Sequence, residues 1–537
     1  MKLLHPGILL SSVTLGCMPE PPAGYGEKSG GGGGVDSADH DDGSGAGTDA
    51  GGGGSDGGGS DGGGSGDGDP TFLGWARDSS LASADHIITG NAGQQLSCPY
   101  SIAVADFDGD GMDDLAISSI EDDVSGVASG SVFLFRATTV LAATAVSSNA
   151  ADGVLLGEDA GDLAGQSLAV LRDFDGDGTP DLGVGAVFAD SGAGRAYLLS
   201  GADLLAASSM ALADATHRFE SDDATAEFGG HIADAGDLDG DGLSDFIVGS
   251  IRRDTNSGAA WVFLSSDYRS RTQTFATQSR WLLSGEGRGD YAGARVASLP
   301  DVDGDSLPEL IATAYLNETG GNNAGRAYVL RSSQLGDERF IEMGDANFIV
   351  SGPAEGRLGL GVATTGDIDG DGIFDLLLGA PDSSSAGTTG GHAFMFSGAT
   401  VRTGGTITSS EAPWSVTGEM PADYLGFSIV AVPDLDGDGA DEILTGAKRA
   451  TSDQSGQGAA YLFLSGDRGS SGTTDAASAT FWGEDAGDQA GRALASGDIN
   501  GDGFADLVVG SCHNGAGGEN AGTVYVVLTP VGSEGEE

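Results

Sequence analysis

Asp173-Phe174-Asp175-Gly176-Asp177-Gly178-Thr179-Pro180-Asp181 decides the reading of this chain. Acids alternate at positions 1, 3 and 5, a glycine stands at 6, and a fourth acid closes the stretch at 9. The pattern recurs seven times, opening at Asp106, Asp173, Asp237, Asp301, Asp367, Asp434 and Asp498, at intervals of 67, 64, 64, 66, 67 and 64 residues. A period this regular is one supersecondary unit copied seven times.

Within a unit, the side chains at positions 1, 3, 5 and 9 and the carbonyl at 7 can converge on one hard cation. The candidate ligands are Asp106, Asp108, Asp110, Met112 and Asp114 in the first loop, and Asp173, Asp175, Asp177, Thr179 and Asp181 in the second. The third and fourth supply Asp237, Asp239, Asp241, Leu243 and Asp245, then Asp301, Asp303, Asp305, Leu307 and Glu309. The fifth supplies Asp367, Asp369, Asp371, Ile373 and Asp375, and the sixth Asp434, Asp436, Asp438, Ala440 and Glu442. The seventh has Asp498, Asn500, Asp502, Phe504 and Asp506. Four carboxylates in one short loop repel one another without a counter-charge. Oxygen-only donors on a flexible loop favour Ca²⁺ over Mg²⁺, up to seven ions in all. Position 12 of the first loop is Ile117, and no helical pattern flanks it, so this is not an EF-hand.

The flanks read as short strands. In the second unit Ser167-Leu168-Ala169-Val170 precedes the loop and Leu182-Gly183-Val184-Gly185 follows it. Arg195-Ala196-Tyr197-Leu198-Leu199 and His217-Arg218-Phe219-Glu220 complete the unit. Apolar runs bounded by Gly and Asp, without helical periodicity, predict an all-β protein. Four strands per unit and seven units predict a seven-bladed β-propeller of four-stranded antiparallel blades. The last unit stops after Val524-Tyr525-Val526-Val527, one strand short, whereas His86-Ile87-Ile88-Thr89 before the first loop aligns with fourth strands elsewhere. The N-terminal strand is therefore expected to complete the last blade; a linear solenoid is the alternative.

The totals bound the function. Net charge is −58, from 81 acids against 23 bases, and Lys2, Lys28 and Lys448 are the lysines. Such a surface repels nucleic acid and anionic membranes. Loop ligands account for 27 acids, and seven Ca²⁺ would still leave about −44, a solvated acidic exterior. Residues 1–17 resemble a bacterial lipoprotein signal ending at Cys17, with Thr14 departing from the usual Leu. Ordinary secretion is the competing reading. From Tyr25 to Asp69 the chain is almost wholly Gly, Ser, Asp and Ala; such a tether has an r.m.s. reach of roughly 40 Å. The expected domains are this tether at 18–83, the propeller at 84–530 and an acidic tail at 531–537. Closure would make the units carrying Cys98 and Cys512 neighbours, so in an exported protein the pair is expected as a disulfide; two free buried thiols are the alternative.

Phe228-Gly229 with Asp237 to Asp245 and Phe246-Ile247-Val248-Gly249, and Leu425-Gly426 with Asp434 to Glu442 and Ile443-Leu444-Thr445-Gly446-Ala447, carry a family resemblance. They resemble the FG-GAP repeat of integrin α-subunit head propellers. That resemblance implies metal loops on one face of a seven-bladed ring and partner binding on the other. Ser306 and Glu309 in the fourth loop, Glu442 in the sixth and Asn500 in the seventh depart from the pattern, and weaker sites are expected there. The closing Gly after the second strand is replaced by Ser118 and Thr313 in units one and four.

Other motifs read as incidental. Arg288-Gly289-Asp290 falls where other units also carry Gly-Asp, as at Gly161-Asp162 and Gly487-Asp488, so the repeat explains it. The sequon Asn317-Glu318-Thr319 is expected to be unused. Arg252-Arg253 and Lys448-Arg449 are candidate contacts for an anionic glycan, with plain solubility as the favoured reading. No nucleophile elbow, zinc helix or phosphate loop occurs. The expectation is a monomeric, non-enzymatic calcium propeller, exported to the cell envelope as an outer-membrane lipoprotein or secreted. It would touch the membrane only through a lipid anchor, and bind a protein or glycan partner at the cell surface. A carbohydrate-active enzyme, lyase or hydrolase, is the alternative.

Overall fold

The computed structural model describes residues 75–98, 101–384, 390–452, 455–467 and 471–530. The signal with Cys17, residues 18–74 of the tether and the tail at 531–537 lie outside the described residues. Among the described residues no helix is long and apolar enough to cross a membrane.

Seven sheets form a seven-bladed β-propeller. In the second blade, Ala164–Leu171 pairs antiparallel with Asp181–Ala186, which pairs with Arg195–Leu199, which pairs with His217–Glu220. The first strands of neighbouring blades touch, so they are the innermost. The acidic loop always joins first to second strand, which puts all seven loops at one end of the ring.

The expected four-stranded blade needs correction. Every sheet has a fifth strand, parallel to the fourth. Blade two takes Gln273–Phe275 from the stretch between the third and fourth strands of blade three. Each outer edge is thus capped by the next blade, which pairs backbone groups that would otherwise template aggregation. The last blade takes its fourth strand from the N-terminus, His86–Thr89 against Thr523–Val527. Asp78–Ser80 goes one blade further back and caps blade six as its fifth strand. Trp75 packs edge-on against Phe481 at 5.6 Å between ring centroids. The ordered ring therefore begins before residue 84, the boundary read from the sequence.

Seven apolar clusters hold the ring, each drawn from two adjacent blades. The closing one joins Ile88, Val508 and Val524 of the last blade to Ile102, Leu115 and Phe133 of the first. Blades also touch backbone to backbone. A Cβ at Gly185 would lie 2.0 Å from the Gly229 carbonyl oxygen of the next blade, and one at Gly379 would lie 1.8 Å from that of Gly426. Thr313 fits at the same place because it meets Gly359, where a Cβ would clash with the Thr313 side chain at 2.6 Å. Its Oγ1 donates to the Gly359 carbonyl at 2.9 Å. Only the second-strand side has changed; Gly359 stands where Gly229 and Gly426 stand at the other seams.

Candidate metal centres

Each acidic loop is wound by its own carboxylates. The position 1 Asp accepts the backbone amide of position 6 in all seven loops, at 2.8–3.0 Å. The position 3 side-chain oxygen accepts the amide of position 5 throughout, including Asn500 from Asp502 at 2.9 Å. The amides of Met112, Thr179, Leu243, Leu307, Ile373, Ala440 and Phe504 donate to the position 5 Asp. Position 6 is left-handed: Gly111 at φ 90° and Gly178 at 89° are typical, and Ser306 follows at 73°. The fourth loop thus keeps the turn with a side chain where glycine costs least. Residues far apart only in spacing terms are brought together: Asp106, Asp108 and Asp114 have oxygens within 4.8 Å of one another, as do Asp173, Asp175 and Asp181, Asp237, Asp239 and Asp241, and Asp301, Asp303 and Glu309.

The closing acid at position 9 has a second task that spacing did not reveal. It is buried at the start of the second strand, and one of its oxygens accepts the amide of position 2 in every loop. Where it is Asp, the other oxygen accepts an amide just beyond the third strand: Ala137, Gly201, Ser265, Gly398 or Thr529, at 2.7–2.9 Å. Where it is Glu, the extra methylene carries the carboxylate out of register. Glu309 Oε1 and Glu442 Oε1 are buried without a hydrogen-bond partner.

Burial, reinforced by neighbouring carboxylates, raises the closing acids against the pull of those amides. Asp114, Asp181, Asp245, Glu309, Asp375 and Asp506 are pushed up to about 7 and Glu442 to about 8. Two loops meet a cation of the protein itself: Arg136 Nη1 lies 2.7 Å from Asp108, and Arg331 Nε 3.5 Å from Asp303. An all-oxygen donor set of convergent carboxylates, and two buried carboxylate oxygens lacking donors, fits a hard divalent cation. Adjacent loops also bind each other. The Ser244 amide donates to the Asp173 carbonyl at 2.9 Å, and Asp113 and Asp498 exchange two bonds of 2.8 Å across the ring closure.

The remaining motifs resolve in the structure. Cys98 and Cys512 form a disulfide between the first and last blades, 414 residues apart in sequence. Asp290 of the Arg-Gly-Asp triplet is 7% exposed and accepts Asn317 Nδ2 at 2.7 Å. The sequon asparagine is therefore itself buried in that bond, and both motifs are structural. Tyr328 Oη adds a bond to Glu286 at 2.8 Å, a contact repeated as Tyr197 with Glu158 and Tyr525 with Glu484. The basic pairs are engaged internally. Arg252 pairs with Glu227 at 2.8 Å and Arg253 lies 5.3 Å over Trp261. Lys448, 1% exposed, sets its ammonium 3.7 Å from the Phe427 ring centre, so neither a glycan contact nor a solvated surface describes it.

Together these features define a seven-bladed propeller with one acidic loop per blade. The chain is an integrin-α-like FG-GAP β-propeller: the FG-GAP repeat matches residues 99–135, 164–199, 292–330, 425–463 and 490–527. Blades three and five fall outside those matches yet carry the same loops. Integrin alpha-5 of Xenopus laevis is 28% identical over 228 residues, 41% of this chain and 20% of that protein. Integrin alpha-PS2 of Drosophila melanogaster is 29% identical over 175 residues, 32% and 11% respectively. The chain thus spans a fifth or less of these curated relatives. Among solved structures, BBS1N in complex with ARL6DN is similar at 10% identity and a TM-score of 0.44, over 84% of this chain and 98% of that one.

Proposed function

We propose that this chain is a calcium-braced recognition module of the cell surface, presented on an N-terminal tether and engaging a protein or glycan partner. The observation that carries the reading is the set of convergent carboxylate clusters, each acid fixed by at least one backbone amide, all at one end of the ring. Calcium at these loops would offset the repulsion that burial concentrates at the closing acids. Likeness to integrin α-subunits supports an adhesion- or binding-type module. The partner is assigned to the end of the ring away from the loops, where the connections from fourth to first strand lie. The tether would run from Cys17, lipidated at the envelope, with residues 18–74 as spacer.

Metal analysis of the purified chain tests this reading. About seven Ca²⁺ per chain are expected, with dissociation constants of about 10⁻⁵ to 10⁻³ M; two or fewer bound ions would overturn it. Screening the calcium-loaded protein against glycans and envelope extracts separates recognition from catalysis. Turnover of a bound polysaccharide would move the assignment to a carbohydrate-active enzyme.

A further inference from the structure

Asparagine is followed by glycine twice in this chain, at Asn500-Gly501 and Asn514-Gly515. Such a pair is reactive in water. With no Cβ to shield it, the glycine amide nitrogen loses its proton to solvent and attacks the side-chain carbonyl of the asparagine. The N–Cγ bond of a five-membered succinimide forms, Cγ–Nδ2 breaks, and the departing nitrogen takes up a proton to leave as ammonia. Water then opens the ring at one carbonyl or the other, which leaves aspartate or isoaspartate.

The two copies stand in opposite surroundings. Asn514 is 1% exposed. Its Nδ2 donates to Asp488 at 2.8 Å and to Tyr525 Oη at 3.1 Å, and its Oδ1 accepts the Ala516 amide at 2.8 Å and Thr523 Oγ1 at 2.9 Å. Those four bonds use both ends of the side-chain amide and hold it against the rotation that ring closure needs. Asn500 is half-buried at position 3 of the seventh loop, and Gly501 beside it is exposed. Both of its side-chain bonds go to one residue: Oδ1 accepts the Asp502 amide at 2.9 Å and Nδ2 donates to the Asp502 carboxylate at 3.0 Å. A single local opening frees the whole group. The nucleophile is looser too. In loops one to four and six the position 4 glycine amide donates to the position 1 Asp at 2.6–2.7 Å; Gly501 makes no such bond. Gly370 lacks it as well, but Asp369 ahead of it would have to lose hydroxide in place of ammonia, a much poorer leaving group.

We propose that Asn500 is a site of spontaneous deamidation, by which the seventh loop gains after synthesis the position 3 carboxylate that the other six loops are encoded with. The aspartate product repeats the alternation of acids at positions 1, 3 and 5. The isoaspartate product adds a methylene to the backbone and moves Asp502 and Asp506 out of register with Asp498. On the calcium reading given above, the first product completes a metal loop and the second disables it; the chemistry at Asn500 itself does not depend on that reading.

Incubation of the full chain in chelator at mildly alkaline pH, followed by reduction, tryptic digestion and tandem mass spectrometry, tests this. Cleavage after Arg492 leaves both asparagines on one peptide, so fragment ions read the two positions in the same molecules. Conversion at Asn500 should run roughly thirtyfold faster than at Asn514, the factor that two extra side-chain bonds are worth. A methyltransferase specific for isoaspartate should label the product at position 500, because ring opening gives both isomers. A guanidinium-unfolded sample should convert at both asparagines. Equal rates at the two positions in the folded chain, or an Asn500 that stays intact while the unfolded sample converts, would overturn the site. Aspartate at position 500 without isoaspartate would show direct hydrolysis and overturn the ring-closure route.

Discussion

Cutting the Cys98–Cys512 bond should cost this ring more than any single side-chain change, and the size follows from the chain length it encloses. The two cysteines are 414 residues apart. A cross-link over such a loop removes denatured-state entropy worth about 6 kcal/mol at 25 °C on the chain-entropy formula. That is about four decades in the folded-to-unfolded ratio, against a typical total of about 5–15 kcal/mol. The same junction is also closed by His86–Thr89, paired residue for residue with Thr523–Val526, with Ile88 wholly buried. Burying one such isoleucine contributes about 1.5–3 kcal/mol, and each ladder bond about 1 kcal/mol. Guanidinium unfolding of the calcium-loaded protein, oxidised and as the Cys98→Ser/Cys512→Ser variant, measures the first term. Deleting residues 75–92, which removes both N-terminal strands, measures the second, with deletion of 25–69 as the control. The expected order of stability is oxidised wild type and control together, then either lesion, then both. Coincident midpoints for the oxidised and serine forms, or a 75–92 deletion no weaker than the control, would refute two-lock closure.

Three further outcomes are expected. Asp290→Ala should lose about 1 kcal/mol by removing the shortest bond to the buried Asn317 amide, which keeps longer contacts to Glu286 and Tyr328 at 3.3 and 3.4 Å, whereas Arg288→Ala, on the exposed side of the same triplet, should stay within about 0.5 kcal/mol; thermal melts giving the reverse order would contradict the structural reading of Arg-Gly-Asp. His217 is buried against Thr274 of the capping strand, and burial lowers its pKa to about 4. Its unfolded form takes up a proton near 6.5 while the folded form does not, so stability is present above that pH and lost as pH falls from about 6.5 to 4, by about 3 kcal/mol. The difference between wild type and His217→Phe across that window isolates it, and a pH-independent difference would count against it. Glu309→Asp should restore the second amide bond that the other closing aspartates make and raise the denaturation midpoint by about 1 kcal/mol; a fall would show that the pocket is shaped for the longer side chain.

The loops, the seven units and the missing last strand were legible because each rests on a local pattern repeated seven times. One ambiguous copy is corrected by six others. The fifth strands were not legible. Met210–Ala211 and Gly472–Thr473 are two residues long, too short to show alternation, and their partners lie in another unit. The start of the ring was missed for the same reason: Asp78–Ser80 is a strand only because Thr480–Trp482 offers an unpaired edge. Arg295 and His231, in the innermost strands of blades four and three and both 0% exposed, were invisible because a charged residue in a strand pattern normally marks the solvent face, and only the seam between blades reveals its burial.

The closing acid explains how a cation at the rim could matter to a surface on the other side of the ring. Its carboxylate joins the amide of loop position 2 to the amide beyond the third strand, as Asp245 joins Leu238 and Ser265 at 2.8 and 2.7 Å. The loop and the outer half of the blade are therefore fastened through one charged group. Burial and its neighbours push that group toward protonation. A protonated acid must donate as well as accept, so one of its two amide bonds would be exchanged for a clash of donors. A divalent cation keeps the group ionised and both bonds intact, in blade after blade. Three pairs of adjacent loops are further tied, Ser244 to Asp173, Asp441 to Asp367 and Asp113 to Asp498, so those sites are not independent of each other. On this reasoning a divalent cation bound at the loops would act on the shape of the ring, and any partner surface would depend on it through the strands rather than by contact.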